Sequence, residues 1–585
     1  MTEIQQARTS ETELATQPIQ AVDLVVAYLE QIGVEFVFGV PGGAIEPFYN
    51  ALARSSRRGG LRPVVARHET GAAYMADGYA RETGRIGVCC ATSGPGATNL
   101  ITGVACAYEN EIPMLVLSGQ PSLHLQGRGA LQESSGAGID TVAMFRTCTR
   151  YSALVTHTEQ LERQLVSALL SAYQPTPGPV HLSIPVDLQR MVMKNGAAYD
   201  LAHLLLPPSP VDFGAVQNLN AQLAQAKKVI VLIGGGCGES IELVIELIEK
   251  IGAEFVVTPD AKGFISPRHP LYRGVFGFAG HSSATGVVND NQVELILVVG
   301  SGLGEWSSNG WHESLLNNKM VHIDSCDAHM MRSPMARLHV RGNIRSVFEA
   351  LLEGLSRDGV DEVASLGERR RFKRVSQDDP YKSTEPGAPI KPQYLMRELG
   401  WRSSPNTRFL VDSGNSTTWA IHDLAMHDHE PSAGGWMRMT LNFAPMGWAI
   451  GGSIGTALAN RDAPVVCITG DGSLLMNGQE MSVAMAEKLT IVFVILNDSA
   501  LGMVKHGQRL AGAEQIGFEL PAVNFKLMAE SMGIPGHVIH TAEEFDNLDL
   551  AEILSRDGPT LLDVRIDKEE VPPMRLRLRV LGTEK

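Results

Sequence analysis

Short apolar runs rich in β-branched residues alternate with helix-like stretches along almost the whole chain. Near the carboxyl end, Ala463-Pro-Val-Val-Cys-Ile-Thr469 and Leu489-Thr-Ile-Val-Phe-Val-Ile-Leu496 read as buried strands, and 476–488 between them suits a helix. Further upstream, strands are predicted at Val229–Ile233, 254–258, Leu295–Val299 and Met320–Asp324, and Gly178-Pro-Val-His-Leu-Ser-Ile-Pro-Val-Asp187 reads as a strand closing an earlier sheet. The alternation falls into three segments, 20–192, 211–355 and 396–570. The Pro-rich stretch 206–210 separates the first two, and a charged connector, about 356–395, separates the second from the third. The expected fold is α/β, three doubly wound parallel-sheet domains.

In the last segment this pattern places Asp471 and Asp498 at the carboxyl ends of two strands, where open parallel sheets bind ligands. Two carboxylates there offer hard oxygen ligands to Mg²⁺, which can hold a diphosphate. Gly470 and Gly472 let the backbone approach phosphates, and Ser473 opens a helix whose free N–H groups favour an anion. Alone, Gly-Asp-Gly is equally a strand-to-helix turn.

A second group of motifs stands far upstream. Phe38-Gly-Val-Pro-Gly-Gly43, with Pro41 and Gly42, is a strand-to-helix turn. Arg67-His-Glu-Thr-Gly-Ala-Ala-Tyr-Met-Ala-Asp-Gly-Tyr-Ala-Arg81 puts Glu69 at the start of a helix, and Thr92-Ser-Gly-Pro-Gly-Ala-Thr-Asn99 follows another strand. Each has a plain structural explanation, such as an acid favoured in a first helical turn. In this order, with Gly470-Asp-Gly-Ser473, they resemble the thiamine-diphosphate enzymes, specifically the acetolactate (acetohydroxyacid) synthase branch, over roughly residues 20–570.

The resemblance implies pyrimidine-binding, central and diphosphate-binding domains in that order. It implies that Glu69 hydrogen-bonds the cofactor's aminopyrimidine and tunes its own proton transfer. Pro41, Gly42 and Thr92 fall beside the cofactor. Gly414, Asn415 and Ser416 match the loop that meets the diphosphate from the far side, Met446 after Ala444 the apolar support that keeps the cofactor bent, and Gly502 and Met503 the segment after the second acid. The metal set is Asp471, Asp498 and the Ala500 carbonyl, with strand alternation favouring Asp498 over Asn497. Gln132 and His506 are matched to the substrate pocket. The implied activity is decarboxylation of a small 2-oxo acid, pyruvate, with carboligation to a second carbonyl, as in branched-chain amino-acid biosynthesis. The implied assembly is a homodimer or tetramer with active sites at the subunit interface, with room for a small regulatory subunit.

Three departures matter, one being that the second metal acid is Asp498 where many relatives have asparagine. Flavin-containing relatives carry a Gly-Ala-Arg-Phe-Asp-Asp-Arg type segment where this chain has Gly300-Ser-Gly-Leu-Gly-Glu-Trp306, which puts FAD in doubt. The glycine-rich turn Ile233-Gly-Gly-Gly-Cys-Gly-Glu-Ser240 invites a dinucleotide, yet no well-placed acid supports it in the sequence. Biosynthetic relatives have tryptophan at His506. The segment from Leu501 to Arg509 also resembles glyoxylate carboligase, which lacks the glutamate kept here as Glu69. Other readings are a non-carboligating decarboxylase, a flavin-dependent oxidase, a silent regulatory subunit, and a nicotinamide enzyme using the Gly234 turn.

Composition narrows the partners. The chain has 585 residues, 44% hydrophobic and 19% charged, ordinary for a multidomain globular enzyme. A formal charge of −15 argues against a nucleic-acid partner. The basic run Glu368-Arg-Arg-Arg-Phe-Lys-Arg374 reads as a solvated helix face. Residues 1–20 lack the apolar core of a signal peptide, and no stretch has the length of a membrane span. Seven cysteines without metal-ligand spacing point to reduced thiols and a cytoplasmic location.

Overall fold

The structure is a computed structural model, and it describes residues 19–193, 198–205, 210–357, 387–426, 429 and 434–574. Most of the 206–210 linker, the Glu368–Arg374 run, residues 1–18 and the basic tail beyond Met574 lie outside the described residues. The chain divides into two compact units, Met1–Pro207 and Pro208–Lys585. Among the described residues no helix is long and apolar enough to cross a membrane.

The first unit is built on one six-stranded sheet: β1 Phe36–Gly39, β2 Arg62–Val65, β3 Gly87–Ala91, β4 Met114–Gln120, β5 Tyr151–Leu154 and β6 Pro179–Pro185. They lie in the order β2-β1-β3-β4-β6-β5, every pair parallel. Strands β3, β4 and β6 are buried along their full length, while the edge strand β5 is half-buried. Helices cover both faces of such a sheet, so its inner strands read as continuous apolar runs.

The second unit holds two more sheets. One comprises β7 Val229–Ile233, β8 Glu254–Val257, β9 Tyr272–Val275, β10 Leu295–Val299, β11 Met320–Asp324 and β12 Leu338–Arg341. Read from β9, its order is β9-β8-β7-β10-β11-β12, the 3-2-1-4-5-6 winding of dinucleotide-binding folds. The other comprises β13 Arg408–Val411, β14 Met437–Arg438, β15 Val465–Gly470, β16 Ile491–Asn497, β17 Gly536–Ile539 and β18 Thr560–Arg565, ordered β14-β13-β15-β16-β18-β17. That is the winding of the first unit repeated. All strand pairs in both sheets are parallel.

These three parallel sheets agree with the α/β fold class read from the hydrophobic pattern. One local expectation fails. Residues 476–488 do not form one helix, because a helix Asp471–Asn477 ends at a 3-10 turn, Gly478–Glu480, before a second short helix Met481–Ala486. Asn477 and Gly478, weak helix formers in sequence, sit at the break.

Candidate active site

In the first unit the winding reverses between β1 and β3, so the loops after these strands flank a crevice. Gly42 lies in one and Thr92 in the other. A Cβ at Gly42 would stand 2.7 Å from Thr92 Cβ, so only glycine allows this approach, and Thr92 Oγ1 accepts the Ala44 N–H at 3.3 Å. Pro41, just before, is exposed.

Glu69 begins the helix Glu69–Thr83 and is only 9% exposed. Its Oε2 accepts the Asn99 amide at 2.9 Å, and Asn99 is itself fixed through its carbonyl, which accepts the Thr70 hydroxyl at 2.6 Å. Asn99 closes the motif that begins at Thr92, but sequence spacing gave it no role. Gln132 joins the same crevice from the loop after β4: a Cβ at Gly94 would lie 2.9 Å from Gln132 Cβ. The loop is pinned by buried Gln120, which exchanges two hydrogen bonds with the Ser134 backbone, and Ser134 Oγ accepts the Gly94 N–H at 2.6 Å. Gln132 itself is exposed and has φ +57°, a left-handed conformation costly for a non-glycine residue.

In the second unit the third sheet reverses between β13 and β15, and the expected diphosphate residues gather at that point. Asp471 follows β15 and Asp498 follows the adjacent β16. The helix starts at Asp471 rather than at Ser473, with the Asp471 carboxylate accepting the Gly472 N–H at 2.7 Å. Asn497 donates its amide to Asp563 at 2.8 Å and so faces the sheet interior, leaving Asp498 at the crevice. A Cβ at Gly502 would stand 2.5 Å from both Asn415 Nδ2 and Asp498 Oδ2, so the loop after β13 and the second acid meet over this glycine. Met446 Cε lies 3.4 Å from the corresponding position at Gly472. Ala444 and Ser499, beside Met446 and Asp498, have φ +47° and +55°. Ala500 is buried and pairs as an isolated bridge with Glu519.

Electrostatics mark this crevice. Burial raises both carboxyls above their ordinary range, and for Asp498 the neighbouring Asp471 charge adds to it. Ser413 Oγ, Asn415 Oδ1 and Ser473 Oγ are buried atoms without a hydrogen-bond partner. Ser416 differs, since its hydroxyl is turned back onto the Asp412 carbonyl at 2.7 Å. Unsatisfied buried polar atoms are uncommon and call for a ligand or water. Two hard acids plus such a rim fit a divalent cation carrying an oxyanion. Gly414, with φ +118°, caps the helix Asn415–Asp423 that carries Asn415 and Ser416.

Asp412, two residues before Gly414, organises the rest. Fully buried, it accepts the Thr469 hydroxyl at 2.7 Å, the Gly447 N–H at 3.0 Å and the Ser413 N–H at 3.0 Å, tying three loops together. Met503 is partly buried against the core. His506 is 1% exposed, one helical turn beyond Gly502 on the helix Gly502–Ala511, and its Nδ1 has no partner. Burial pulls this imidazole down to about 4, so it is neutral at physiological pH.

The central sheet also has a glycine-lined crevice at its reversal. Its cavity is about 220 Å³, lined by Gly235, Gly236, Glu239, Ser325 and Asn343 among others. An acid missed in the sequence, Asp260, packs directly against Gly235. The segment carrying Trp306 is folded inward, its ring on Phe278 at 4.1 Å. A cavity of this size is below the range of sites for drug-sized ligands, roughly 300–1,000 Å³.

Fold and site together define a multidomain α/β enzyme of the thiamine-dependent class. The N-terminal TPP binding domain of thiamine pyrophosphate enzymes matches residues 19–144, the central domain 216–351, and the C-terminal TPP binding domain 412–564. The chain is 31% identical to acetolactate synthase isozyme 2 large subunit of Escherichia coli strain K12, over 94% of this chain and 97% of that protein. It is 29% identical to isozyme 1 large subunit of the same organism, over 96% and 97%. With a probable acetolactate synthase large subunit of Methanococcus aeolicus it shares 31%, over 95% and 94%. This chain belongs to the thiamine pyrophosphate enzymes, within the acetolactate synthase large-subunit family.

Proposed function

We propose that the protein is a Mg²⁺- and thiamine-diphosphate-dependent carboligase that decarboxylates a small 2-oxo acid, pyruvate, and joins the remaining two-carbon unit to a second carbonyl. The observation that carries this reading is the meeting of two charge-crowded acids with three unsatisfied buried polar atoms at one sheet reversal. Asp471, Asp498 and the Ala500 carbonyl would hold the metal, and Gly470, Gly472, Ser473, Gly414, Asn415 and Ser416 the diphosphate. Met446 would support the bend of the cofactor. Bound thiamine diphosphate supplies the electron sink that makes loss of CO₂ from a 2-oxo acid possible.

The chain's own residues then govern protons and access. Glu69, with one oxygen engaged by Asn99, keeps the other to hold a proton at the aminopyrimidine. Gln132, locked by Gln120 and Ser134, orients the substrate. His506, neutral and with a free ring nitrogen, offers one hydrogen bond to the acceptor carbonyl without placing a charge in the pocket. The reading requires no flavin.

Domains 20–192, 211–355 and 396–570 would be the pyrimidine-binding, central and diphosphate-binding modules. The pyrimidine module of one subunit would face the diphosphate module of its partner in a homodimer or a tetramer. Large apolar side chains exposed beside each half-site support this: Leu131 and Ile139 in the Gln132 loop, Leu475 and Met476 on the Asp471 helix. The relatives are named large subunits, which leaves a place for a small regulatory partner. Seven buried cysteines, none in a disulfide, support a cytoplasmic location.

The test is incubation of purified protein with pyruvate, thiamine diphosphate and Mg²⁺, without FAD, quantifying CO₂, acetolactate and acetaldehyde beside a Glu69→Gln control. Acetolactate in equal amount to the CO₂ released, lost in the control, is expected, because two pyruvates give one acetolactate and one CO₂. Acetaldehyde in its place would move the protein to the simple decarboxylases, and absence of CO₂ would reject pyruvate as the substrate.

A further inference from the structure

The helix Asn415–Asp423 presents Asn415 to the Asp498 crevice at one end, and its other end is closed in an unusual way. The last carbonyls of a helix have no partner within it, and they form the negative end of its dipole. Here no glycine cap follows; Leu424 is extended and its N–H reaches Ala420 O at a long 3.3 Å. The closure comes from the segments around β9 in the central sheet. Lys262, fully buried in the 3-10 turn Pro259–Phe264, donates its ammonium to Ala420 O at 2.7 Å and to Ile421 O at 2.8 Å. His281 accepts the Val275 N–H on Nδ1 at 2.9 Å, so its Nε2 carries the proton and donates to His422 O at 3.0 Å. His422 in turn meets the Ala279 carbonyl at 3.1 Å, and its ring stacks on His281. Three consecutive carbonyls at the helix end are thus held by groups that lie some 140–160 residues away in sequence.

A buried ammonium is costly unless its attractions are well placed. Burial pulls Lys262 down to about 7 against the opposing pull of Asp423. Asp423 is itself engaged by Arg397 at 2.9 Å. A merely space-filling role would be served more cheaply by methionine. What a lysine adds is a point charge and fixed donors on the axis of a helix of about 13 Å, one rise of 1.5 Å per residue, whose opposite end carries Asn415.

We propose that Lys262, assisted by His281, is a positioning residue for the diphosphate end of the site, setting the axial seat of helix Asn415–Asp423 and hence of Asn415 beside Asp498. This rests on the diphosphate reading of that crevice. Through it the central domain contributes to cofactor binding.

The test measures the Kd of thiamine diphosphate at saturating Mg²⁺ by calorimetry on the full chain, with the melting temperature of the cofactor-free protein and kcat at saturating cofactor measured alongside. Lys262→Met is expected to raise Kd about tenfold, the equivalent of losing one or two charge-assisted hydrogen bonds. At saturating cofactor kcat should stay within about twofold, since the contact seats the cofactor and does not touch reacting atoms. His281→Leu removes only the third donor and should raise Kd about threefold; it also serves if Lys262→Met fails to fold. An unchanged Kd with a lowered melting temperature would overturn the proposal and leave Lys262 a core group. Wild-type protein that takes up no thiamine diphosphate would overturn the crevice reading itself, a distinguishable result.

Discussion

The sheets β1–β6 and β13–β18 have the same winding and reverse at corresponding places, between their first and third strands. In the first, the crevice at the reversal receives one carboxylate, Glu69, held by a neutral amide and a helix start. In the second it receives two carboxylates, both raised by burial and Asp498 further by the Asp471 charge, ringed by hydroxyls and an amide left unsatisfied. A single carboxyl with a neutral donor is suited to keeping or releasing a proton. A crowded pair is suited to sharing a cation. The winding supplies the place, and three or four loop residues decide which chemistry occupies it. The central sheet gives the contrast, since its reversal is lined by glycines with Glu239 at the rim and Asp260 against Gly235, and it encloses only about 220 Å³.

If the division between proton chemistry and cation binding is right, the two crevices must fail differently. Asp471→Asn removes half of the charge that holds the metal, and is expected to weaken thiamine diphosphate binding at fixed Mg²⁺ by about 100-fold or more. Glu69→Gln should leave that affinity within about threefold while turnover falls by about 10²–10⁴, the range of lost acid–base catalysis. Calorimetry for Kd and CO₂ release for turnover separate the two. Equal loss of affinity in both variants would break the comparison.

A smaller effect is expected where the second crevice is assembled rather than charged. At Gly502 an added methyl would press on the ends of Asn415 and Asp498. Gly502→Ala should therefore weaken Mg²⁺ binding about tenfold with the circular dichroism spectrum unchanged, because side-chain ends can swing aside where backbone cannot. Unaltered Mg²⁺ affinity would mean that these two side chains are not joined at the metal.

Smaller still is the effect expected in the first crevice when the neutral donor is removed. Asn99→Ala leaves Glu69 without the amide and should lower turnover about tenfold, with Mg²⁺ affinity untouched. A pH–rate profile displaced from that of wild type would tie the effect to the proton on Glu69; a uniform drop at every pH would point to simple repacking.

Much of this was legible in the sequence. Strands such as Val229–Ile233, Leu295–Val299 and Met320–Asp324 stand where unbroken apolar runs predicted them, because a parallel sheet covered on both faces needs such runs. Asp471 and Asp498 follow from the same logic, each one step beyond a strand. Asn99, Gln120, Asp412 and Lys262 were not assigned roles, since each acts through a partner far away in sequence: Glu69, Ser134, Gly447, Ala420. An amide or a lysine in a helical or turn-like run carries no pattern that reveals such a partner. The break at Gly478 was missed because apolar spacing continued across it.

The subtlest difference between the two crevices lies in how their loops are fixed. In the first unit the clamp is a neutral amide, Gln120 on Ser134, and in the second it is the buried acid Asp412. Burial pushes Asp412 up to about 6, with Thr469 and the N–H groups of Ser413, Gly447 and Ala449 opposing. Its ordinary value is 3.8, so between 3.8 and about 6 the folded chain keeps a proton that the unfolded chain has released. Stability from this group is therefore fully present below that window and declines as pH rises through it, by about 3 kcal/mol in all. Asp412→Asn abolishes that decline while costing hydrogen bonds at every pH. The penalty of the substitution, read by urea unfolding of metal-free protein, should be larger at pH 4.5 than at pH 7.5, with Asp471 and Asp498 titrating alike in both proteins and cancelling. Gln120→Ala should carry a penalty independent of pH. A penalty at Asp412 that grew with pH would mean that its donors outweigh burial, so that the second crevice is built on a stabilised anion and the contrast with the neutral clamp is one of strength rather than of charge.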